Sequence, residues 1–145
     1  MNRKNFIQTA AVVAPLLYSA NLLSQDAKST EGTKTGGKYG ALIDSASDCI
    51  KKGELCISHC VDMMAGGDKS MGPCSKTVRD MLAMCETLSK LATSNSEFTK
   101  KHATLCLEVC KKCEDECRKH PKHKVCMNCA ESCKECMSEI KKILG

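Results

Sequence analysis

Large apolar side chains are scarce in this sequence of 145 residues, which contains two Phe, two Tyr and no Trp. Aliphatic residues are also sparse in its second half. Other side chains must therefore fill the interior, and cysteine is the abundant candidate, with 13 copies, because a free cysteine packs as a small hydrophobe. The net charge is +5, but Lys and Arg are mixed with Asp and Glu and are not interleaved with aromatics. We therefore expect no nucleic-acid partner.

Two further absences limit the fold and the activity. No segment alternates between apolar and polar residues for long enough to predict a strand. The four His and the cysteines supply no nucleophile–base pair, phosphate-binding loop or open zinc site, so the sequence does not predict an enzyme.

The N-terminal residues indicate an exported protein. Arg3 and Lys4 precede a mostly apolar stretch at residues 10–23, which is too short and interrupted to predict a membrane span. We interpret residues 1–27 as an export signal peptide, with an uncleaved anchor as the alternative, and expect no stable membrane insertion after cleavage. Residues 2–7 (NRKNFI) resemble a twin-arginine signal in which one arginine is lysine, so twin-arginine and general secretory export both stay open. The expected location is the periplasm.

The rest of the chain divides into a linker and one helical domain. Residues 28–39 are polar and rich in Gly, Ser and Thr, which is typical of a flexible linker. Residues 40–145 carry four helical patterns separated by short breaks. Their expected bounds are residues 40–65, 73–93, 96–119 with Ser96 as the N-cap, and 122–144. Because short loops favour antiparallel neighbours, the sequence predicts an all-α, up-down-up-down four-helix bundle.

A repeat with steps of three or four residues runs along each predicted helix, and the four repeats contain every cysteine. Residues at this spacing lie on one face of a helix, so the thiols should point together into the bundle. The cysteines are Cys49, Cys56 and Cys60; Cys74 and Cys85; Cys106, Cys110, Cys113 and Cys117; and Cys126, Cys129, Cys133 and Cys136. Lys, Glu and Asp occupy positions between them, which predicts a cysteine-lined core and a charged surface.

Four roles can be considered for the 13 thiols. A disulfide framework suits an exported protein, but the count is odd, and i, i+4 neighbours have Cβ atoms about 5–6 Å apart, too far for a bridge. Structural zinc or an iron–sulfur cluster needs about four ligands for each closed site, far fewer than this chain has. A redox Cys-x-x-Cys pair normally opens a helix after a strand. These three stay open beside the fourth, binding of Cu(I).

Cu(I) is a soft ion that prefers thiolate and thioether ligands. Two thiolates one helical turn apart can hold it, and such pairs are Cys56/Cys60, Cys106/Cys110, Cys113/Cys117 and Cys129/Cys133. One Cu⁺ between two thiolates leaves a negative charge, which is costly away from water. About one ion per bridging thiolate neutralises the core, so we expect multiple Cu(I) ions. This predicts copper storage; a periplasmic carrier or buffer for zinc or a single copper, or a disulfide-stabilised helical protein, are the alternatives.

The two ends of the predicted bundle differ in composition. The candidate entrance ligands at one end are His59, Met63, Met64 and Met71, with His120, His123 and Met127 nearby. The other end gathers Leu42, Ile43, Leu88, Leu91, Phe98, Leu105, Ile140, Ile143 and Leu144, which should form an apolar plug. Because a thioether binds Cu(I) without first losing a proton, we expect copper to enter at the Met/His end.

These cysteine stripes resemble those of the copper storage proteins, a bacterial family of cysteine-rich four-helix bundles. The resemblance covers residues 40–144, and the segment Cys56-x-x-His59-Cys60-x-x-Met63, with Met71 following, is similar to the family's Met/His mouth. It implies many Cu(I) ions bound along the core and a homotetrameric assembly. The exported form of the family has a twin-arginine signal, which agrees with residues 2–7.

Overall fold

The computed structural model describes residues 37–145, which form four α-helices. Helix α1 comprises Gly40–Ala65, α2 Gly72–Thr93, α3 Thr99–Cys117 and α4 Lys124–Leu144. A 3₁₀ turn, Lys69–Met71, joins α1 to α2, and no strand occurs in the described part. The expected signal peptide at residues 1–27, and all but the last three residues of the expected linker, lie outside the described residues. None of the described helices is long and apolar enough to cross a membrane.

The four helices close into a ring. Helix α1 packs against α2 and α4, and α3 packs against the same two helices. Within the described range, the diagonal pairs α1–α3 and α2–α4 make no close backbone approach. Successive helices run antiparallel because the segments between them are only a few residues long. The predicted up-down-up-down bundle is therefore confirmed.

Helices α1 and α2 end in the same hydrogen-bonded motif, built around one residue with left-handed backbone. That residue is Gly67 (φ 98°) after α1 and Asn95 (φ 51°) after α2. At the end of α2, the N–H of Asn95 donates to the carbonyl of Ala92 at 3.1 Å, and the N–H of Ser96 donates to that of Leu91 at 3.0 Å. These bonds satisfy carbonyls that the end of a helix otherwise leaves free.

This turn shows that the prediction of Ser96 as the N-cap of the third helix is wrong. The N–H of Ser96 is already bonded to α2, and its Oγ accepts from the N–H of Phe98 at 3.2 Å within a further turn. Helix α3 begins only at Thr99, whose Oγ1 donates to the carbonyl of Ser96 at 2.7 Å. Around Pro121 the helices are also shorter than predicted. Helix α3 ends at Cys117, because proline lacks the N–H that would continue it, and α4 begins only at Lys124, after a turn in which the N–H of His123 donates to the carbonyl of His120 at 3.0 Å.

The apolar plug forms at the end of the bundle that holds the start of α1 and the end of α4. Leu42, Leu88 and Ile140 are fully or almost fully buried there, and Tyr39, the last residue of the expected linker, is 6% exposed. Phe98 and Leu105 do not join the plug, and this part of the prediction is wrong, because they are 59% and 48% exposed. Each lies one residue before the buried face of α3, so its side chain turns outward.

Candidate metal centre

All 13 cysteines are free and fully buried, as the spacing predicts. Six pairs of their Sγ atoms lie between 3.6 and 4.0 Å apart. These pairs are Cys74–Cys117 (3.6 Å), Cys49–Cys133 (3.7 Å), Cys85–Cys110 (3.7 Å), Cys85–Cys106 (3.8 Å), Cys106–Cys110 (3.9 Å) and Cys113–Cys129 (4.0 Å). Each pair except Cys106–Cys110 joins two different helices. Every helix of the bundle therefore contacts a neighbouring helix through sulfur atoms.

Several thiols gather into groups that could surround one ion. Within each group the sulfur atoms lie within 4.8 Å of one another. The groups are Cys56, Cys60, Cys74 and Cys126; Cys49, Cys85 and Cys110; Cys56, Cys117 and Cys129; and Cys113, Cys129 and Cys133. Cys56 and Cys129 each belong to two groups, so neighbouring sites share ligands along the bundle.

The i, i+4 cysteine pairs predicted within single helices account for only part of the observed sulfur groups. Cys106 and Cys110 do face each other, at 3.9 Å. Cys113 and Cys117, however, fall into different groups, and the sulfur closest to Cys113 that the structure records belongs to Cys129 on α4, at 4.0 Å. The structure therefore builds most of its candidate sites across helix interfaces.

A close approach of α1 and α2 brings a thioether to one of the thiols. Gly53 faces α2, and a Cβ at this position would lie 2.6 Å from Cε of Met81. Met81 is fully buried, and its Sδ accepts a hydrogen bond from the Sγ of Cys49 at 3.3 Å. Sequence reasoning did not include Met81 among the site residues, because spacing alone does not separate a packing methionine from one whose sulfur faces a thiol.

The protonation of the thiols differs from one position to the next. Burial raises the pKa of Cys60 to about 12 and that of Cys126 to about 11, because desolvation disfavours the thiolate. The pKa of Cys74 is instead lowered to about 3, chiefly because the thiol of Cys117 hydrogen-bonds to its thiolate. Burial therefore favours the neutral thiol at Cys60 and Cys126, while the hydrogen bond from Cys117 favours the thiolate at Cys74. A metal ion can replace the shared protons.

The α1–α2 and α3–α4 connections form the end of the bundle opposite the plug. We refer to this end as the mouth. A hydrogen bond of 2.8 Å joins Nε2 of His59 on α1 to Nδ1 of His123, which precedes α4. The ring of His120 stands edge-on to that of His123, with centroids 6.3 Å apart. Its Nε2 is buried and has no hydrogen-bond partner among the described residues. The mouth is therefore lined by imidazole nitrogens.

The predicted entrance methionines occupy two different depths at this end. Met63 and Met64, in the last turn of α1, are half-buried. Met71, at the end of the 3₁₀ turn, is fully buried. His123 was not among the four candidate entrance ligands, although the His-Pro-Lys-His segment opposite His59 was a signal for it.

Comparison with known proteins settles the family. The model of a family described as copper storage protein (Csp) matches residues 36–145, which include every cysteine and the whole mouth. The chain belongs to the copper storage protein family. This confirms the resemblance inferred from the cysteine stripes.

Individual members of this family and related proteins are similar over most of the chain. The uncharacterised cysteine-rich protein YhjQ of Bacillus subtilis (strain 168) is 27% identical over 103 residues, which cover 71% of this chain and 93% of YhjQ. The Cu(I)-bound copper storage protein BsCsp3 superposes with a TM-score of 0.66 at 26% identity, over 72% of this chain and 96% of BsCsp3. Apo-Csp3 from Bacillus subtilis gives a TM-score of 0.63 at 27% identity, over 72% and 97% of the two chains.

In this member of the copper storage family, the core offers sulfur as its main ligand. Two of the buried hydroxyls are already committed to the backbone, since Oγ1 of Thr99 donates to the carbonyl of Ser96 and Oγ of Ser132 donates to that of Cys129 at 2.8 Å. Soft ligands favour Cu(I) over hard cations such as Mg²⁺ or Ca²⁺. The arrangement can therefore hold soft ions away from water.

Proposed function

We propose that this chain stores copper, binding many Cu(I) ions through the thiolates of its 13 buried cysteines. The observation that carries the proposal is the set of sulfur pairs, 3.6–4.0 Å apart, that join neighbouring helices through the core. Family membership and the likeness to a Cu(I)-bound structure support copper as the ion. The role is one of binding and not of catalysis.

The charge of the core supports a high capacity over a single ion. An isolated Cu⁺ held by two or three thiolates leaves a net negative charge in a region from which water is excluded. Thirteen ions on 13 bridging thiolates give a neutral core. Because Cys56 and Cys129 already belong to two groups each, bridging requires little rearrangement.

Titration of the reduced protein with Cu(I) against a chromogenic chelator tests this capacity. We expect saturation close to 13 ions per chain, the number of cysteines. Saturation at one or two equivalents would identify a carrier instead. Zinc added in excess should be displaced from the core by Cu(I), whereas a dedicated zinc buffer would retain it.

We also propose that copper enters through the mouth, where His59, Met63, Met64 and Met71 are joined by His123. The hydrogen-bonded imidazoles of His59 and His123 support this, because imidazole nitrogens are metal ligands. In the sequence, His59 directly precedes Cys60, and His123 lies three residues before Cys126. Replacing His59 and His123 by Asn should slow loading and leave the final capacity unchanged. His102→Asn is the matched control, because His102 lies on α3, bonded to the carbonyl of Met84. Equal rates of Cu(I) loading in the wild type, the His59/His123 variant and the His102 variant would contradict entry at the mouth.

Export to the periplasm is proposed on the support of residues 1–27, with their basic start and apolar stretch. Fractionation of a Gram-negative host, followed by N-terminal sequencing of the product, tests it. We expect a chain shortened by about 27 residues in the periplasmic fraction. A product that begins at Met1 and stays in the cytoplasm contradicts export.

A homotetramer is proposed from the family resemblance. The exposed side chains of Phe98, just before α3, of Leu105 on α3 and of Leu55 on α1 support self-association, because water-exposed apolar patches favour a partner. Light scattering should give about four chain masses for the wild type. Phe98→Glu with Leu105→Glu should reduce this mass if this surface forms the interface, while Lys100→Glu should not, because Lys100 is exposed on α3 but does not line the groove that Phe98, Lys101 and Leu105 share.

A further inference from the structure

One group of thiols differs from the others in number and position. Cys56, Cys60, Cys74 and Cys126 place four sulfur atoms within 4.8 Å of one another, whereas each of the other groups contains three. All four residues are fully buried. Cys60 is the last cysteine of α1, and Cys74 and Cys126 are the first of α2 and α4, so the group lies at the mouth end of the core.

Four sulfurs at this spacing match a tetrahedral divalent site. A Zn–S bond of about 2.3 Å requires sulfurs about 3.8 Å apart at the corners of a tetrahedron. Because the four sulfurs already lie within 4.8 Å of one another, shifts on the order of 1 Å close them around one ion. The set of ligands is also complete without water, which is typical of a structural zinc site.

The charge of the ion also matters at this group. Four thiolates around a monovalent ion leave a net charge of −3, while around a divalent ion they leave −2, which is less costly to bury. Cys74 and Cys126 are each the third residue of their helices, following Gly72-Pro73 and Lys124-Val125. The N-terminus of a helix carries partial positive charge, so thiolates in its first turn are stabilised. Two helix ends thus offset part of the remaining negative charge.

We propose that Cys56, Cys60, Cys74 and Cys126 form a tetrathiolate site for one divalent ion of the zinc class at the mouth of the bundle. This site has four thiols where each of the other groups has three, and its existence does not depend on copper storage. Cys56 also belongs to the group with Cys117 and Cys129. Zinc and Cu(I) therefore compete for a shared thiol where the mouth joins the core.

Titration of the reduced full chain with Co²⁺ and then Zn²⁺, in the absence of oxygen, tests the site. Co²⁺ should bind one equivalent with the visible bands of tetrahedral cobalt and a strong sulfur-to-metal charge-transfer band. One equivalent of Zn²⁺ should then bleach the spectrum. An octahedral cobalt spectrum, or uptake of several equivalents with equal affinity, overturns the proposal.

Two variants on one helix provide the matched comparison. Cys126 and Cys136 both lie on the buried face of α4, but Cys136 belongs to none of the four sulfur groups. Cys126→Ser should weaken Zn²⁺ binding on the order of a hundredfold and remove the tetrathiolate spectrum, while Cys136→Ser should change neither. Equal effects of the two substitutions contradict a specific site.

Two controls complete the experiment. Circular dichroism checks that both variants are helical, and if Cys126→Ser does not fold, Cys60→Ser takes its place. Cu(I) capacity is measured on the same preparations. A low copper capacity of the wild type would contradict storage and leave the zinc result standing, whereas failure to bind Zn²⁺ with normal copper capacity would overturn this proposal alone.

Discussion

A buried thiol serves either as a neutral core side chain or as a thiolate ligand, and its pKa decides between these states. Cys60 and Cys126, whose pKa values burial raises to about 12 and about 11, hold their protons at neutral pH in the metal-free protein. They then pack as small hydrophobes. Because metal ions bind the thiolate, each thiol must release its proton when an ion arrives.

Copper loading should therefore release protons and should strengthen as the pH rises. Protons compete with Cu(I) for both thiols at every pH below their raised pKa values, so the apparent affinity falls on acidification and rises towards pH 11. A pH indicator in weak buffer measures the release, and chelator competition at several pH values measures the affinity. The double variant Cys60→Ser with Cys126→Ser should release about two fewer protons per chain. An affinity that does not change with pH would contradict this.

The partner of each thiol is harder to predict than its burial. Steps of three and four residues correctly place all 13 cysteines in the core, because this spacing decides which face of a helix they occupy. Cys113 nevertheless lies 4.0 Å from Cys129 on another helix, and Cys49 lies 3.3 Å from the sulfur of Met81. Such contacts depend on the rotation and relative height of two helices, which no spacing within one helix records.

At the scale of the helices, Gly53 sets how closely α1 approaches α2. The position that its Cβ would occupy lies 2.6 Å from Cε of Met81 and 2.9 Å from Cδ2 of Leu82. These distances are too short for ordinary contact, so a larger residue must displace side chains or the helix. The absence of a side chain here thus helps to bring Met81 to Cys49.

Gly53→Ala should destabilise the metal-free protein by about 1 kcal/mol, as crowding of 1–3 kcal/mol outweighs the gain in helix propensity of 0.5–1 kcal/mol. Urea denaturation measures the change in the free energy of unfolding. In a Met81→Leu background, where the long thioether is absent, the same substitution should lose part of its effect, because Cδ2 of Leu82 still lies 2.9 Å from the position of the added Cβ. An equal loss of stability in both backgrounds would show that Met81 is not the obstacle.

The turn after α2 depends on the left-handed backbone of Asn95 (φ 51°). Asparagine tolerates this conformation better than most residues, and glycine adopts it without steric cost. Asn95→Ala should therefore lower the free energy of unfolding by about 1 kcal/mol. Asn95→Gly, its control, should change stability little. Thermal or urea unfolding of the metal-free protein compares the two, and equal destabilisation by Ala and Gly would contradict the argument.

This turn also explains why one helix boundary was mispredicted. Ser96 is a favourable N-cap residue by composition, but its N–H completes the end of α2, so α3 starts only at Thr99. A residue between two helices can serve either one, and single-residue preferences do not decide which. The start of α1 was easier to predict, because a marked change in composition from a polar linker to an apolar repeat coincides with Gly40.

For the molecule as a whole, the two ends of the bundle should differ in stability, because the large apolar side chains are concentrated at the plug. Leu42, Leu88 and Ile140 fill the plug, whereas the rest of the core is lined mainly by thiols, each of which buries less apolar surface than a leucine. The sequence predicts this division, because it depends only on which residues occupy the inward positions. The metal-free bundle should accordingly be held together most strongly at the plug.

Copper should stabilise the part of the bundle outside the plug, because bridging ions join the helices to one another. The sulfur pairs connect α1 with α4, α2 with α3, and α3 with α4, so bridging ions link all four helices. An ion that binds only the folded state stabilises it by about 4 kcal/mol when its free concentration is a thousand times the dissociation constant. For a domain of this size, that corresponds to an increase in Tm of more than about 10 °C.

Thermal melts monitored by circular dichroism at increasing Cu(I) loading measure this effect. We expect Tm to rise progressively from the metal-free protein to saturation, and removal of copper by a chelator to restore the original value. The quadruple variant Cys85→Ser, Cys106→Ser, Cys110→Ser and Cys136→Ser is the control, since it keeps the mouth group but loses the thiol contacts between α2 and α3 near the plug. It should gain less in Tm at its own saturation. A Tm that does not change with loading would show that copper binds without joining the helices.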